Sequence, residues 1–359
     1  MDPGLEQLMA TEQYSVDAPT KDAALVAGMN QLTAHHRAHC PEYARIVEAA
    51  YPGGSEAARL ADVPYLPVSL FKSLDLKSVA DRDVFKVMTS SGTTSHVPSR
   101  IALDVETARL QTRALSTIVT HYLGRSRLPM LILDHPDVVR DRHSFSARGA
   151  GILGMLSFGR DHLYALDPDM AVDRAAVRGW LERHAGDDLL LFGFTFMAWE
   201  YFFEPLAGDG IDLSRATLIH TGGWKKLADR AISTNAFRSR LAGDFDLTRI
   251  HNFYGMVEQV GSVFFECPAG HFHPPNFADV IVRDPRSWEP SATGDAGVVE
   301  VMSLLPRSYP GHAILTEDVG VVDGIDDCPC GRKGKRFHVI GRVPKAEIRG
   351  CSDTHERAA

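Results

Sequence analysis

Apolar runs of strand length alternate with helical patterns along most of this chain, and this alternation constrains the fold more than any single motif. The strand-like runs cover residues 84–88, 128–133, 189–194, 216–220, 248–253 and 297–302. The helical patterns cover residues 21–50, 105–122, 147–158 and 173–185. The residues expected to line one face of the first helix are Leu25, Met29, Leu32, His36 and Tyr43. This alternation predicts an α/β fold with layers around a mainly parallel sheet.

The bulk composition excludes several classes of protein. Of 359 residues, 44% are hydrophobic and 23% are charged, which is typical of a soluble globular protein. A net charge of −8 provides no general attraction to nucleic acid or anionic lipid. We find no signal peptide and no apolar run of membrane-spanning length, and the 5 cysteines form no disulfide framework. We therefore expect a cytoplasmic protein without nucleic-acid or membrane partners.

A loop rich in hydroxyl groups follows the strand-like run at residues 84–88. Its glycine and the flanking hydroxyls can present backbone N–H and side-chain O–H donors to one anion. The candidate phosphate-binding residues are Ser90, Ser91, Gly92, Thr93, Thr94 and Ser95. The loop lacks the Lys-Ser/Thr ending of a P-loop, and an ordinary polar turn has the same composition. The loop alone leaves both interpretations open.

A glycine pair follows the strand-like run at residues 216–220. Gly222 and Gly223 would let a ligand approach the backbone at the carboxyl end of a parallel strand, where α/β sheets bind ligands. Trp224 could pack against a planar base, and Lys225 is a candidate catalytic residue. A tight strand-to-helix turn with Trp224 over the core is the alternative.

Two more motifs combine nucleotide-binding residue types with strand ends. Tyr254 and Gly255 end the run at residues 248–253, with an aromatic ring that can stack on a base, and Glu258 offers the oxygen ligands that Mg²⁺ prefers. Further along, Asp318 suits a ribose diol and Arg342 can pair with phosphate or ribose. A buried tyrosine and solvent-facing charged side chains would explain each motif separately.

In their order along the chain, these motifs resemble those of the adenylate-forming (acyl- and aryl-activating) superfamily. The resemblance assigns the hydroxyl loop to the phosphates of ATP, Gly222-Gly223 to the adenine side, and Asp318 to the ribose. It assigns Tyr254-Gly255 and Glu258 to adenine and Mg²⁺, and Arg342 to a catalytic hinge motif. It implies that a carboxylate attacks the α-phosphate of ATP, giving an acyl-adenylate and pyrophosphate.

Two departures from the superfamily pattern narrow the resemblance. Because the sequence ends just after the hinge motif, we expect the mobile carboxyl-terminal lid domain of the superfamily to be missing, and Cys351 follows that motif directly. Both features are similar to the LuxE-like acyl-protein synthetases, relatives of the phenylacetate–CoA ligase-like enzymes. This resemblance implies that Cys351 takes the acyl group as a thioester. The neighbouring Arg349 would help to lower the pKa of this thiol. It also implies an acyl-reductase partner. A free surface thiol is the alternative.

The remaining cysteines form a second candidate site. Cys267 lies near His271 and His273 in sequence, and Cys328 and Cys330 form a Cys-x-Cys motif. Three thiolates and one imidazole are a closed tetrahedral set for a structural Zn²⁺. Similar sites in phenylacetate–CoA ligase-like enzymes favour His273 over His271. Buried unpaired cysteines are the alternative.

These motifs suggest three parts: a helical segment at residues 1–60, an α/β nucleotide- and acyl-binding core at 61–265, and a β-rich zinc-containing part at 266–359. A dense aromatic patch is either the acyl-binding wall or core; its members are Phe192, Phe194, Phe196, Trp199, Tyr201, Phe202 and Phe203. We interpret the chain as an ATP-dependent ligase that activates a fatty or aryl acid and passes the acyl group to Cys351 or an external thiol. The alternatives are an acyl- or aryl-CoA ligase, an enzyme that passes its acyl-AMP to a carrier protein or amine, and a zinc-stabilised nucleotide-binding module without catalysis.

Overall fold

The computed structural model describes residues 3–90, 98–139, 147–223, 233–259 and 261–343. The chain forms two compact units. The first unit combines the described residues up to Tyr122 with those from Gly255 onward, and the second unit comprises the described residues of Leu123–Tyr254. Within the described ranges, every helix is too short or too polar to cross a membrane.

Strands and helices alternate as the sequence predicts. The helices are α1 (Pro3–Ala10), α2 (Ala18–His39), α3 (Pro41–Ala50), α4 (Leu70–Ser73), α5 (Val105–Leu123), α6 (Ala147–Leu156), α7 (Arg174–Arg183), α8 (Thr195–Ala198), α9 (Glu204–Leu206) and α10 (Thr234–Phe245). The strands are β1 (Leu66–Pro67), β2 (Lys86–Thr89), β3 (Arg100–Leu103), β4 (Leu128–Ile132), β5 (Gly159–Tyr164), β6 (Leu189–Phe194), β7 (Ala216–Thr221), β8 (Arg249–Tyr254), β9 (Phe264–Glu266), β10 (Phe272–His273), β11 (Ala278–Arg283), β12 (Ala296–Ser303), β13 (Ala313–Ile325) and β14 (Lys335–Arg342).

The second unit contains the predicted parallel sheet. Its strands lie in the order β5-β4-β6-β7-β8, and every neighbouring pair is parallel. All six residues of β6 are buried, as expected for a strand covered on both faces. A π-helical turn at Trp199–Phe203 joins α8 to α9 and packs Phe202 and Phe203 into the core. Because the five strands of this sheet are parallel, their carboxyl ends lie along one edge.

The first unit contains a mainly antiparallel sheet. Its strands lie in the order β11-β12-β13-β14-β10-β9, and β1 pairs in parallel with β13. Strands β2 and β3 form a separate antiparallel pair. Helix α2 contacts this unit closely at Gly28, where an added Cβ would lie 2.6 Å from Leu304 Cδ2. A side chain at that position would therefore require the Leu304 side chain to shift.

The helical pattern at residues 21–50 forms two helices rather than one. Asp17 caps α2 by accepting a 3.1 Å hydrogen bond from the backbone N–H of Thr20. The helix ends at His39 because Pro41 lacks an N–H group and instead begins α3. The predicted apolar face is confirmed on both sides of this break, since Leu25 on α2 and Tyr43 on α3 are fully buried.

Two stacked imidazole rings lie in the core of the first unit. The rings of His36 and His312 have centroids 5.0 Å apart. His36 Nδ1 lies 2.7 Å from Ser78 Oγ, and His312 Nε2 lies 3.0 Å from Thr33 Oγ1. Burial lowers the pKa of His312 to about 3 and that of His36 well below its usual range. Both rings are therefore neutral when the protein is folded at neutral pH.

We expect the free energy of unfolding to fall as the pH drops below about 6.5, the ordinary histidine pKa. Below that pH the histidines are protonated in the unfolded chain but stay neutral in the folded core. Each such histidine therefore lowers the free energy of unfolding by up to about 1.4 kcal/mol for each pH unit. His312→Asn should make this dependence shallower, measured by urea unfolding between pH 5 and 7.5. His162→Asn, at an exposed position, is the matched control. An unchanged slope in His312→Asn would contradict this explanation.

Candidate functional site

Two similar turns in the first unit bring three cysteines together. Cys267 begins the turn between β9 and β10, and Cys328 begins the turn between β13 and β14. In each turn a glycine N–H donates a 2.9 Å hydrogen bond to the carbonyl of that cysteine. These glycines, Gly270 and Gly331, have φ values of 83° and 84°, a conformation that favours residues without a Cβ. The turns thus place cysteine side chains from distant parts of the chain in one location.

The four predicted metal ligands form one cluster. One ligand atom from each of Cys267, His273, Cys328 and Cys330 lies within 4.8 Å of all the others. Cys267 Sγ is 3.8 Å from Cys328 Sγ, and Cys330 Sγ is 3.2 Å from Cys328 Sγ. Cys330 Sγ lies 3.7 Å from His273 Nε2. Tetrahedral Zn–S bonds of about 2.3 Å would place sulfur atoms about 3.8 Å apart. The Cys267–Cys328 separation matches this value, and the 3.2 Å Cys328–Cys330 separation would have to widen by about 0.6 Å. Three thiols and one imidazole are a donor set that suits zinc.

Burial shapes the protonation of this cluster in the absence of metal. Burial lowers the pKa of His273 to about 3 and raises that of Cys328 to about 12. Burial also acts to raise the pKa of Cys330, but hydrogen bonds, first from the backbone N–H of Arg332, leave it lowered. A metal ion would therefore encounter a neutral His273 imidazole and a Cys330 thiol whose lowered pKa favours the thiolate form.

The structure separates the two candidate histidines. His271 Nδ1 lies 2.9 Å from Asp323 Oδ2, and its Nε2 lies 3.2 Å from an Arg336 guanidinium nitrogen. His273, by contrast, is fully buried beside the thiols. The preference for His273 over His271 therefore agrees with the geometry.

Residues that the sequence argument overlooked surround the cluster. The Arg332 guanidinium lies over the rings of Tyr14 and Tyr122, 5.3 Å and 5.0 Å from their centroids. Asn276 accepts a 3.1 Å hydrogen bond from the backbone N–H of Tyr14 and so holds the amino-terminal segment in place. Arg332 lies two residues after Cys330 and Asn276 lies three residues after His273, but neither position indicates these contacts.

The first unit also brings together two of the predicted nucleotide-binding residues. Asp318 and Arg342 are directly opposite each other on β13 and β14, with Arg342 Nε 3.5 Å from Asp318 Oδ1. Arg342 is the last residue of β14. Beside them, Lys72 Nζ lies 3.8 Å from Glu317 Oε1, an ion pair that no motif indicated.

Three other predicted residues of this unit lie in separate local settings. Glu258 is buried in a 3₁₀ turn at Val257–Gln259. Gly255 has little free space, since an added Cβ would lie 3.1 Å from Val263 Cγ1. Ser90 directly follows β2, and its Oγ accepts a 2.9 Å hydrogen bond from the backbone N–H of Ser99. This bond holds the two ends of the hydroxyl loop together.

In the second unit, the predicted adenine-side residues follow neighbouring strands. Gly222 and Gly223 follow β7, and Tyr254 is the last residue of β8. Gly222 has a φ of 78°, which favours glycine. The Thr221 hydroxyl donates a 2.9 Å hydrogen bond to the Phe253 carbonyl, tying the two strand ends together.

The aromatic patch divides between two environments in the second unit. Trp199, Phe202 and Phe203 belong to the main core. Phe194, by contrast, packs in a smaller cluster with Met170, Met197 and Leu166, and the partly buried Phe196 and Tyr201 border this cluster. One part of the aromatic patch thus belongs to the main core, and the other part belongs to a separate, smaller apolar cluster.

A buried ion pair lies next to this smaller cluster. Arg148 Nε is 3.1 Å from Asp134 Oδ2, and another guanidinium nitrogen of Arg148 is 3.9 Å from Met197 Sδ. Burial raises the pKa of Asp134 to about 6 despite the adjacent guanidinium. The pair therefore places two ionisable side chains beside the smaller apolar cluster.

Several predicted residues lie outside the part of the chain that the structure describes. They are Ser91, Gly92, Thr93, Thr94, Ser95, Trp224, Lys225 and Cys351. Their roles remain predictions from the sequence.

Comparison with known proteins gives a family match over almost the whole chain. The model of the family "Acyl-protein synthetase, LuxE" matches residues 14–359. A long-chain-fatty-acid–luciferin-component ligase of Aliivibrio fischeri is 25% identical over 304 residues, covering 81% of this chain and 77% of the relative. The protein with the same name from Vibrio harveyi is 25% identical over 316 residues, covering 83% and 79%.

A solved structure shares the fold. The crystal structure of an open conformation of 2-hydroxyisobutyryl-CoA ligase, in complex with 2-HIB-AMP and CoA, matches with a TM-score of 0.70. The identity is 18%, and the match covers 94% of this chain and 78% of that chain. The similarity confirms the predicted α/β fold class, which this chain shares with that ligase.

Proposed function

Because the chain belongs to the LuxE family of acyl-protein synthetases, it is an ATP-dependent acid ligase, and we propose that its acid is a long-chain fatty acid and its acceptor thiol is Cys351. The family match over residues 14–359 carries this proposal. The names of the two relatives from luminous bacteria support the choice of acid.

The first step forms the acyl-adenylate. A carboxylate oxygen attacks the α-phosphorus of ATP, a new O–P bond forms, and the bond to the leaving pyrophosphate breaks. Asp318 would accept hydrogen bonds from the ribose hydroxyls, while Arg342 would hold Asp318 in place and face the phosphates. Catalysis would depend on positioning and on cationic stabilisation of the phosphates.

The remaining nucleotide contacts follow the motif assignments. Ser90, Ser91, Gly92, Thr93, Thr94 and Ser95 would hold the phosphates. Gly222, Gly223, Trp224, Tyr254 and Gly255 would contact the adenine, and Lys225 would act in catalysis. Mg²⁺ neutralises phosphate charge when bound, and Glu258 would hold it through a carboxylate oxygen.

The second step moves the acyl group to sulfur. The Cys351 thiolate attacks the carbonyl carbon of the acyl-adenylate, a thioester forms, and AMP leaves. A thiolate suits this step because it is a strong nucleophile whose ionisation Arg349 would favour. An acyl-reductase or a carrier protein would then accept the acyl group from the thioester.

The apolar cluster around Phe194 supports a fatty acid as substrate. Met170 and Met197 have flexible, polarizable side chains that can adapt to a long alkyl chain. Phe196 and Tyr201 border the same cluster and would extend the apolar wall.

A structural zinc ion at Cys267, His273, Cys328 and Cys330 completes the proposal. The 3.8 Å separation of the Cys267 and Cys328 sulfur atoms and the three-sulfur, one-nitrogen donor set support it. Four protein ligands leave no position for substrate, so zinc would stabilise the turns rather than take part in the reaction.

Replacing Cys351 separates the two steps. Cys351→Ser should abolish hydroxylamine-sensitive labelling of the protein by a radioactive long-chain fatty acid and ATP. Its acid-dependent ATP–pyrophosphate exchange should remain within about twofold of the unaltered protein, because exchange needs only the first step. Cys40→Ser, at a buried cysteine between α2 and α3, should change neither measurement. Persistent labelling of Cys351→Ser would assign the transfer to another group.

Replacing Glu258 tests the first step. Glu258→Gln should lower pyrophosphate exchange about 100-fold and raise the Mg²⁺ concentration needed for half-maximal rate, because the amide lacks the negative charge. Glu266→Gln, another buried glutamate of the same unit, is the control and should need no extra Mg²⁺. Exchange at the normal rate in Glu258→Gln would remove the proposed role.

The metal proposal is tested by analysis of the purified chain. We expect about one zinc per chain by elemental analysis and a lower melting temperature after chelation, because structural zinc stabilises the fold it binds. Cys328→Ser should lose the zinc, whereas Cys40→Ser should retain it. Zinc far below one per chain in the unaltered protein would contradict the proposal.

A further inference from the structure

One hydroxyl group joins two strand ends of the second unit. Thr195 begins α8, directly after β6, and its Oγ1 lies 2.6 Å from the Gly222 carbonyl and 3.1 Å from the Thr221 carbonyl. The same Oγ1 lies 2.9 Å from His220 Nδ1. Both Thr195 and His220 are buried. Thr195 thus contacts three consecutive residues of the segment that ends β7.

The chemistry of these groups determines which of them donates each hydrogen bond. Thr195 carries one hydroxyl hydrogen, and carbonyl oxygens only accept, so this hydrogen is donated toward Gly222 and Thr221. The Thr195 oxygen must then accept from His220, which assigns the proton of the neutral ring to Nδ1. Burial lowers the pKa of His220 to about 3, so the ring remains neutral near pH 7.

These bonds hold the turn that the nucleotide motifs single out. Gly222 has a φ of 78°, and its missing Cβ would lie 3.4 Å from the Phe194 ring. Among the described residues, no atom lies within 4 Å of the position that a Cβ on Gly223 would take. The turn is therefore held on its Gly222 side, and none of the described residues crowds its Gly223 side.

We propose that Thr195 and His220 are positioning residues for the purine base of ATP, which hold the Gly222-Gly223 backbone in the conformation that receives the base. Neither side chain touches the substrate; each acts through the turn. The inference rests on the proposed function, because it takes this turn to be the adenine side of the nucleotide site. It makes nucleotide binding depend on the Thr195 side chain at the amino terminus of α8.

The test compares the loss of one hydroxyl with its conservative replacement. Thr195→Val keeps the shape of the side chain and removes the hydrogen bonds, whereas Thr195→Ser restores the hydroxyl. The control is Thr217→Val, the same change at a buried position near the start of β7. The measurements are the KM for ATP and for the fatty acid in pyrophosphate exchange, the Kd for ATP by calorimetry, and the melting temperature.

We expect Thr195→Val to raise the KM and Kd for ATP about three- to tenfold, the size of one lost hydrogen bond. The KM for the acid should change less than twofold, Thr195→Ser should restore ATP binding, and Thr217→Val should leave it unchanged. Unchanged ATP binding in Thr195→Val would overturn the proposal. The proposal would also be overturned if both valine variants weakened the binding of ATP and of the acid equally, in proportion to the drop in melting temperature.

A second variant keeps the proposal testable if Thr195→Val fails to fold. His220→Asn retains a side-chain N–H near the position of Nδ1, and His220→Leu does not; only the leucine variant should weaken ATP binding. Equal ATP binding in the two would overturn the proposal. If the unaltered chain binds ATP but catalyses no exchange with any acid, the proposed function fails while the calorimetric comparison still decides the role of Thr195.

Discussion

The register of β13 against β14 carries much of the chemistry of the first unit. One end of this strand pair places Asp318 opposite Arg342, and the turn at the other end holds Cys328 and Cys330. A shift by one residue would turn every side chain to the opposite face. Two register shifts, near Gly320 and Gly324, set the alignment, and a Cβ on Gly320 would lie 2.7 Å from the His338 carbonyl. The glycines therefore help to position both groups of residues.

Buried polar groups in this protein are stabilised in two different ways. Arg148 and Asp134 form an ion pair, and Arg283 lies against the fully buried Glu300, whose pKa burial raises to about 7. His312 and His220 instead remain neutral and exchange hydrogen bonds with threonine side chains. The first arrangement offsets the cost of burying charge, and the second avoids that cost.

Much of the fold was predictable because it depends on local pattern. The all-apolar run at Leu189–Phe194 indicated a buried strand, and the spacing of Leu25 and Met29 indicated a helix face; both are confirmed. The cysteine cluster was predictable from ligand type, because few other roles suit three thiols and an imidazole. The ion pair between Lys72 and Glu317 was not, because nothing in either local sequence indicates the other.

The sequence by itself determined the α/β class, the family and the candidate residues, since periodicity, residue type and motif order are properties of the chain alone. Only the tertiary structure decided which histidine joins the three thiols, which aromatic residues are core, and that Thr195 holds the turn at Gly222. The physical reason is that these contacts join residues distant in the chain. Their distances follow from strand order, register and side-chain packing, which no local pattern encodes.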